Sequence, residues 1–125
     1  MSFENWHALV VEDEIDGMEL VRDWLTYYGI QSTAAHNAEQ ALVILETLVP
    51  TVMIIDLELP GMDGWSLLRA IQQDSQLAGV PCVAITAYHT NELARQAVSA
   101  GFHSYLSKPL EIKSFIHELQ RVVEG

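Results

Sequence analysis

Basic residues are scarce in this chain. Lysine and arginine together number 6 against 17 aspartates and glutamates, giving a formal net charge of −11. Such a surface repels polyanions, which argues against direct binding of nucleic acid or of anionic membrane. Cysteine occurs once, at Cys82, so an internal disulfide is excluded and a reducing compartment suits the composition. Cys82 itself reads as a small core residue in an apolar stretch. No apolar run approaches the roughly 18 residues that a bilayer-spanning helix requires, because Glu46, Pro50 and Asp56 interrupt the best candidates. The start, Met1-Ser2-Phe3-Glu4-Asn5, has neither the basic region nor the apolar stretch of a secretory signal. Repeats, linkers and low-complexity segments are missing too. These absences leave a soluble, cytoplasmic domain as the expectation. The 125 residues fit one unit spanning 1–125, and half of them are hydrophobic, enough for a core at this length.

What is present is an alternation of short apolar runs with segments of helical period. Residues 7–11 read as a buried strand. Over 15–28, Met18, Val21, Trp24, Leu25 and Tyr28 recur at helical spacing before Gly29 stops the helix. Residues 30–35 form a second, weaker strand. A helix over 38–48 follows, with Asn37 as N-cap and Leu42, Leu45 and Val49 on its inner face, and Pro50 ends it. The clearest strand is 52–55. A short helix over 65–73 carries Leu67, Leu68 and Ile71, and 81–86 is a fourth strand. A helix over 92–100 follows, capped by Thr90 or Asn91, stopped by Gly101, with Leu93, Ala94, Ala97 and Val98 at helical spacing. The series closes with a strand over 102–106 and a helix over 110–123 that turns Phe115, Ile116, Leu119 and Val122 inward.

Five strands alternating with five helices predict an α/β fold, a parallel sheet covered on both faces. Right-handed crossovers place every strand's carboxyl end on one rim, where open α/β sheets hold their chemistry. Asp13, Asp56, Thr86 and Lys108 each follow a strand, so they meet there. Asp56, at a rigid strand end, is a candidate nucleophile, since carboxylates form acyl phosphates. Glu12 and Asp13 are hard oxygen ligands suited to Mg²⁺ (or Mn²⁺), and such a cation relieves carboxylate repulsion and neutralises an incoming phosphoryl group. Thr86 offers a hydroxyl donor and Lys108 a compact cation for a phosphate oxygen. Ala87, Gly61 and Gly64 leave room for a ligand. The parts describe metal-assisted phosphoryl transfer onto an aspartate.

Four segments resemble the receiver domains of two-component response regulators, in order and nearly end to end. Leu9-Val10-Val11-Glu12-Asp13-Glu14 is similar to the family's acidic first loop. Residues 54–64, Ile-Ile-Asp-Leu-Glu-Leu-Pro-Gly-Met-Asp-Gly, resemble its phosphoacceptor strand and loop. Ala84-Ile85-Thr86-Ala87 matches its hydroxyl segment, and Ala100-Gly101-Phe102 with residues 105–110, Tyr-Leu-Ser-Lys-Pro-Leu, matches its final switch segment. The resemblance implies a flavodoxin-like (βα)₅ sandwich with strand order 2-1-3-4-5. It implies that Asp56 accepts a phosphoryl group from a histidine kinase or phosphotransfer protein, with weak self-catalysed phosphorylation and dephosphorylation. Asp13 and Asp56 would hold the metal directly, Glu12 through water, and Glu58 by its backbone carbonyl, its side chain being free to vary. Lys108 would bind the phosphoryl group, and the Lys108-Pro109 bond would be suited to the cis form. Thr86 would move toward the phosphate and Tyr105 would turn inward, altering a surface of helix 4, strand 5 and helix 5 read by a downstream protein.

The departures from the family's pattern are Glu12 for the usual aspartate, Glu58 two residues after the acceptor, and Tyr88 two residues after Thr86. Glu58 and Tyr88 flank the path of water to an acyl phosphate, so both are expected to tune its lifetime, Tyr88 by shielding it. Glu14 and Asp16 read as charges at a helix start, Asp63 as a loop residue, and Trp6, Trp24 and Trp65 as packing or surface residues. The five histidines show no metal spacing, and only His89 falls near the site. Two rival classes remain. A flavin-binding electron carrier of the same fold would want a glycine- and hydroxyl-rich phosphate cradle after strand one, where Glu12-Asp13-Glu14 would repel it. A binding module independent of phosphate has no need of Asp56 and Lys108. The chain is also compatible with a receiver cut from a larger regulator or hybrid kinase.

Overall fold

The structure, a computed structural model, describes residues 3–125; Met1 and Ser2, where the segment read for a signal begins, lie outside the described residues. Ten elements alternate strictly: β1 (His7–Val11), α1 (Ile15–Tyr27), β2 (Gln31–Ala35), α2 (Ala38–Ile44), β3 (Val52–Asp56), α3 (Gly64–Gln72), β4 (Cys82–Thr86), α4 (Asn91–Ala100), β5 (Ser104–Ser107) and α5 (Ile112–Glu124). The strands form one parallel sheet in the order β2-β1-β3-β4-β5, as expected. No helix among the described residues is long and apolar enough to cross a membrane.

Alternate residues of each central strand feed two cores, as the two-residue period of a strand requires. Leu9, Val11, Met53, Ile55, Cys82 and Ala84 face α2, α3 and α4 together with Leu67, Leu68, Ile71 and Phe102. Ala8, Val10, Val52, Ile54, Val83 and Ile85 face α1 and α5, where Met18, Val21, Leu25, Phe115, Ile116 and Leu119 meet them. Each fully buried Leu, Ile or Phe side chain contributes about 1.5–3 kcal/mol, so the sheet is a rigid base for whatever its strand ends carry. Trp6 is a core residue rather than a surface one, stacked edge-on to Phe3 at 4.8 Å. Cys82 is buried, and burial pushes its thiol up to about 12. Among the helices α4 is the least embedded, with Ala97 as its single buried residue.

Several boundaries differ from the sequence expectation. Helix α2 stops at Ile44 because tighter bonds from the Glu46 and Thr47 N–H groups to the Val43 and Ile44 carbonyls wind up its end. The change of period turns Val49 outward, 57% exposed, and puts Pro50 in the interior instead. Val98 on α4 is likewise exposed. Phe102 is not the first residue of β5. Gly101 takes the left-handed conformation (φ 117°) that closes α4, and the Phe102 N–H bonds back to the Ala97 carbonyl. The side chain then packs edge-on beneath Trp65, ring centres 5.8 Å apart. Asn37 caps α2 through the Gln40 N–H, and Thr90, not Asn91, caps α4 through the Leu93 N–H. Asp63 is more than a loop residue: its carboxylate accepts the Ser66 N–H and caps α3.

Candidate functional site

The parallel register brings four loop starts to one rim. Glu12 follows β1 and continues its ladder, its N–H bonding the Ala35 carbonyl at 3.0 Å. Asp56 ends β3 opposite Ile85. Thr86 ends β4, and the Lys108 N–H donates to the Thr86 carbonyl at 2.7 Å, which brings the chain after β5 to the same place. The Lys108-Pro109 bond is cis, as the resemblance implied. Three of these side chains are buried: Glu12 (0% exposed), Thr86 (0%) and Asp56 (2%).

Lys108 holds the acids together. Its Nζ donates to Glu12 Oε1 at 2.7 Å and to Asp56 Oδ2 at 2.9 Å, and lies 3.4 Å from Glu14 Oε1. Glu14, read as a charge at the start of α1, stands at that helix's N-cap position without bonding its N–H groups and leans to this lysine instead. The remaining Asp56 oxygen accepts the Glu58 N–H at 2.8 Å. Burial penalises both buried carboxylates, but they respond oppositely. Burial and the neighbouring Asp56 drive Glu12 up to about 7. Asp56 is burdened by burial as well, yet hydrogen bonds from Glu12, Lys108 and the Glu58 N–H outweigh that and hold it below the usual carboxylate range. For Lys108, the loss of solvent is outweighed by hydrogen bonds to Glu12 and Asp56, and its ammonium is held above the ordinary lysine range. The negative charge of the pair therefore concentrates on Asp56.

Oxygen atoms of Glu12, Asp13 and Asp56 lie within 4.8 Å of one another. This is a set of hard donors with room for water on the exposed Asp13 side, the kind of site a Mg²⁺ ion accepts. Three carboxylates gathered this closely against one lysine are a donor set that a divalent cation fits. The longer Glu12 is accommodated by Gly17 in the first turn of α1. A Cβ at Gly17 would come within 2.7 Å of Glu12 Oε1. Gly64 plays the same part for the acceptor strand, where a Cβ would lie 2.6 Å from the Asp56 carbonyl oxygen. Gly61 takes positive φ (71°), the conformation glycine permits.

The Glu58 side chain is not free. Although the residue is exposed, its Oε2 accepts the Thr86 hydroxyl at 2.5 Å and its Oε1 accepts the Ala87 N–H at 2.9 Å. Thr86 Oγ1 in turn accepts the Tyr88 N–H at 3.1 Å, and the Tyr105 hydroxyl donates to the Tyr88 carbonyl at 2.6 Å. Tyr105 packs part-buried against the α2–α4 core. Burial raises its hydroxyl, the Thr90 backbone opposes this, and the charge of Glu58 adds to it. The Tyr88 ring is 64% exposed. His89 is exposed beside Tyr105, ring centres 6.3 Å apart. The other histidines stand apart; His7 pairs with Thr33, and His103 accepts the Cys82 N–H. The sequence pattern thus brings Glu12, Asp13, Asp56, Thr86 and Lys108 together. It missed the reach of the Glu58 carboxylate and the space made by Gly17, although a glycine in a helical turn costs up to about 1 kcal/mol against alanine and was a signal.

Comparison with known proteins gives the same picture. The response regulator receiver domain family matches residues 8–120. A 14.6 kDa protein encoded in the sodA1 3′ region of Leptolyngbya boryana is 34% identical over 113 residues, 90% of this chain and 86% of the relative. The polar-differentiation response regulator DivK of Brucella anthropi is 26% identical over 113 residues, covering 90% of this chain and 92% of DivK. Among solved structures, the receiver domain of a sensor histidine kinase from Pseudomonas aeruginosa superposes with a TM-score of 0.88 at 27% identity, over 96% of this chain and 98% of that one. That structure has a magnesium ion coordinated in its active site cleft.

Proposed function

The chain belongs to the response regulator receiver domain family, and from that premise we propose that it is a phosphorylation-dependent switch of a two-component phosphorelay, with Asp56 as phosphoacceptor. Receiver domains bind Mg²⁺ in an acidic site and work with histidine kinases or phosphotransfer proteins and with downstream targets. The observation that carries the reading for this chain is the state of Asp56. It is buried, ionised, anchored by the Glu58 N–H, and paired with Lys108 beside two further carboxylates.

In the proposed reaction an Asp56 carboxylate oxygen attacks the phosphorus of a phosphohistidine on the kinase or phosphotransfer partner. The P–N bond breaks, its electron pair stays on the imidazole nitrogen, and a mixed acyl phosphate forms. Holding Asp56 below the ordinary carboxylate range keeps the nucleophile ionised. Glu12, Asp13, Asp56 and the Glu58 carbonyl are the residues that would hold Mg²⁺ (or Mn²⁺), which supplies neutralising charge to the phosphoryl oxygens. Lys108 is the cation for a phosphoryl oxygen, and Thr86 and the Ala87 N–H are donors to the others. The reverse half of the cycle is hydrolysis by water, with the exposed ring of Tyr88 over its path. Thr86, Tyr88 and Tyr105 form the bonded chain through which the change reaches α4, β5 and α5, the surface proposed for a downstream protein. The unit spans 1–125 and acts in the cytoplasm, and contact with nucleic acid or membrane forms no part of the reading.

The test is mass spectrometry after exposure to acetyl phosphate with and without Mg²⁺. A single phosphoryl adduct that needs Mg²⁺ and disappears in Asp56→Asn is the expected result. Equal labelling of Asp56→Asn would overturn the assignment.

A further inference from the structure

Glu58 holds the two donors that an acyl phosphate on Asp56 would need. One carboxylate oxygen takes the Thr86 hydroxyl and the other takes the Ala87 N–H. Two oxygens on one centre, each receiving one of these bonds, is the pattern that two phosphoryl oxygens would present. Thr86 is fully buried at the end of β4 and its hydroxyl is satisfied in both directions, donating to Glu58 and accepting from the Tyr88 N–H. It has no spare proton for a second acceptor. The Ala87 N–H is in the same position. Any anion that binds to this pair must displace the Glu58 side chain, and that side chain is exposed, so it has solvent to swing into.

We infer that Glu58 is a positioning residue that acts as a placeholder for the phosphoryl group, keeping Thr86 and Ala87 aimed at the site before modification and yielding them when Asp56 is modified. The inference rests on the receiver reading and adds a regulatory contact to it. Its consequence is an exchange. The new bonds from Thr86 and Ala87 to the phosphoryl group replace charge-assisted bonds of the same type, so their net contribution to holding the modified state is small. The donors are already ordered around an anion before modification. The charge expelled from the rim is a full carboxylate. A shorter or neutral residue at 58 would leave the donors to water and would bind the phosphoryl group more tightly.

A double-mutant cycle on binding of beryllium trifluoride, a tetrahedral analogue of a carboxylate-bound phosphoryl group, tests this in the presence of Mg²⁺. Thr86→Val removes the hydroxyl and keeps the β-branched shape. In the wild-type background the substitution should weaken binding by less than about threefold, because the hydroxyl merely trades partners. In the Glu58→Ala background it should weaken binding by about tenfold or more, because a whole charge-assisted bond is then lost. Loss of repulsion alone cannot produce that difference, since Thr86→Val changes no charge. Thr86→Ser should behave as wild type. In the unmodified protein, the Ala87 amide proton should shift upfield in Glu58→Ala, reporting the contact without any phosphoryl analogue. Equal factors for Thr86→Val in both backgrounds, or an unmoved Ala87 amide, would overturn the placeholder while leaving Asp56 as acceptor. Failure of the wild type to bind the analogue through Asp56 would overturn the receiver reading and the placeholder with it.

Discussion

Taking the charge from Glu12 is the sharpest perturbation the rim offers. In the metal-free protein burial and Asp56 raise Glu12 from 4.5 to about 7, while the unfolded chain keeps the ordinary value. A carboxyl raised in the folded state stabilises the fold while it is protonated. That contribution is complete below the unfolded value and is lost as pH rises through the folded one. The whole gap corresponds to about 3 kcal/mol, and linkage places most of its loss between about pH 5 and about pH 8. Asp56 is lowered, so its own contribution is present above its ordinary 3.8 and disappears only as pH falls below it. Lys108 titrates above the window. Urea unfolding of wild type and Glu12→Gln, both in a chelator, isolates the group, because everything else that protonates in this range is common to the two. The stability of the wild type relative to the variant should fall by about 2–3 kcal/mol from about pH 5 to about pH 8. Mg²⁺ should restore it, since it binds only the deprotonated form, and its affinity should rise by up to about tenfold per pH unit below 7 and then level off. Parallel stability curves for the two proteins would refute the reasoning.

Gly17→Ala should weaken Mg²⁺ binding severalfold in titration calorimetry, because the new Cβ meets Glu12 Oε1 at 2.7 Å; combining it with Glu12→Asp, whose shorter arm vacates that space, should recover most of the loss. Gly64→Ala pushes against backbone, the Asp56 carbonyl at 2.6 Å and Leu57 Cα at 2.9 Å, so it should cost about 1–3 kcal/mol in thermal unfolding and reduce acetyl phosphate labelling. Tyr88→Ala should shorten the lifetime of the acyl phosphate severalfold in a phosphate-release assay; a lifetime no shorter than that of wild type would remove the ring as a shield.

The fold was legible because the three central strands are short apolar runs and most helices carry a 3.6-residue stripe. Residues 52–55, buried without exception, cannot be mistaken for a surface segment. The rim was legible for the same reason, since strand ends in a parallel sheet converge whatever their loops do. What escaped depends on where long side chains end. Glu58 and Thr86 are 28 residues apart and their contact depends on a rotamer, which no periodicity encodes. Val49 obeys the helical period of 38–48 yet faces solvent, because the helix tightens after Ile44 and the register is lost. Asp63 looked like loop chemistry, whereas it begins α3 three residues before the donor it captures.

Ala97 has a consequence beyond packing. A helix whose one fully buried side chain is a methyl group, with Leu93 and Ala94 half-buried beside it, gives up little transfer free energy if it slides or tilts, at about 0.8 kcal/mol per buried methyl or methylene. Moving α5 would uncover Phe115, Ile116 and Leu119, several kcal/mol at the same rate. The loop between Thr86 and α4 therefore leads into the segment with the shallowest energy well in the sheet's covering. Were a second placement of α4 to lie within a kcal/mol or two of this one, an energy of the size of one hydrogen bond would be enough to shift the ratio between them. Ala97→Leu would put a bulkier side chain at the one fully buried position of α4 and so disturb its seat first.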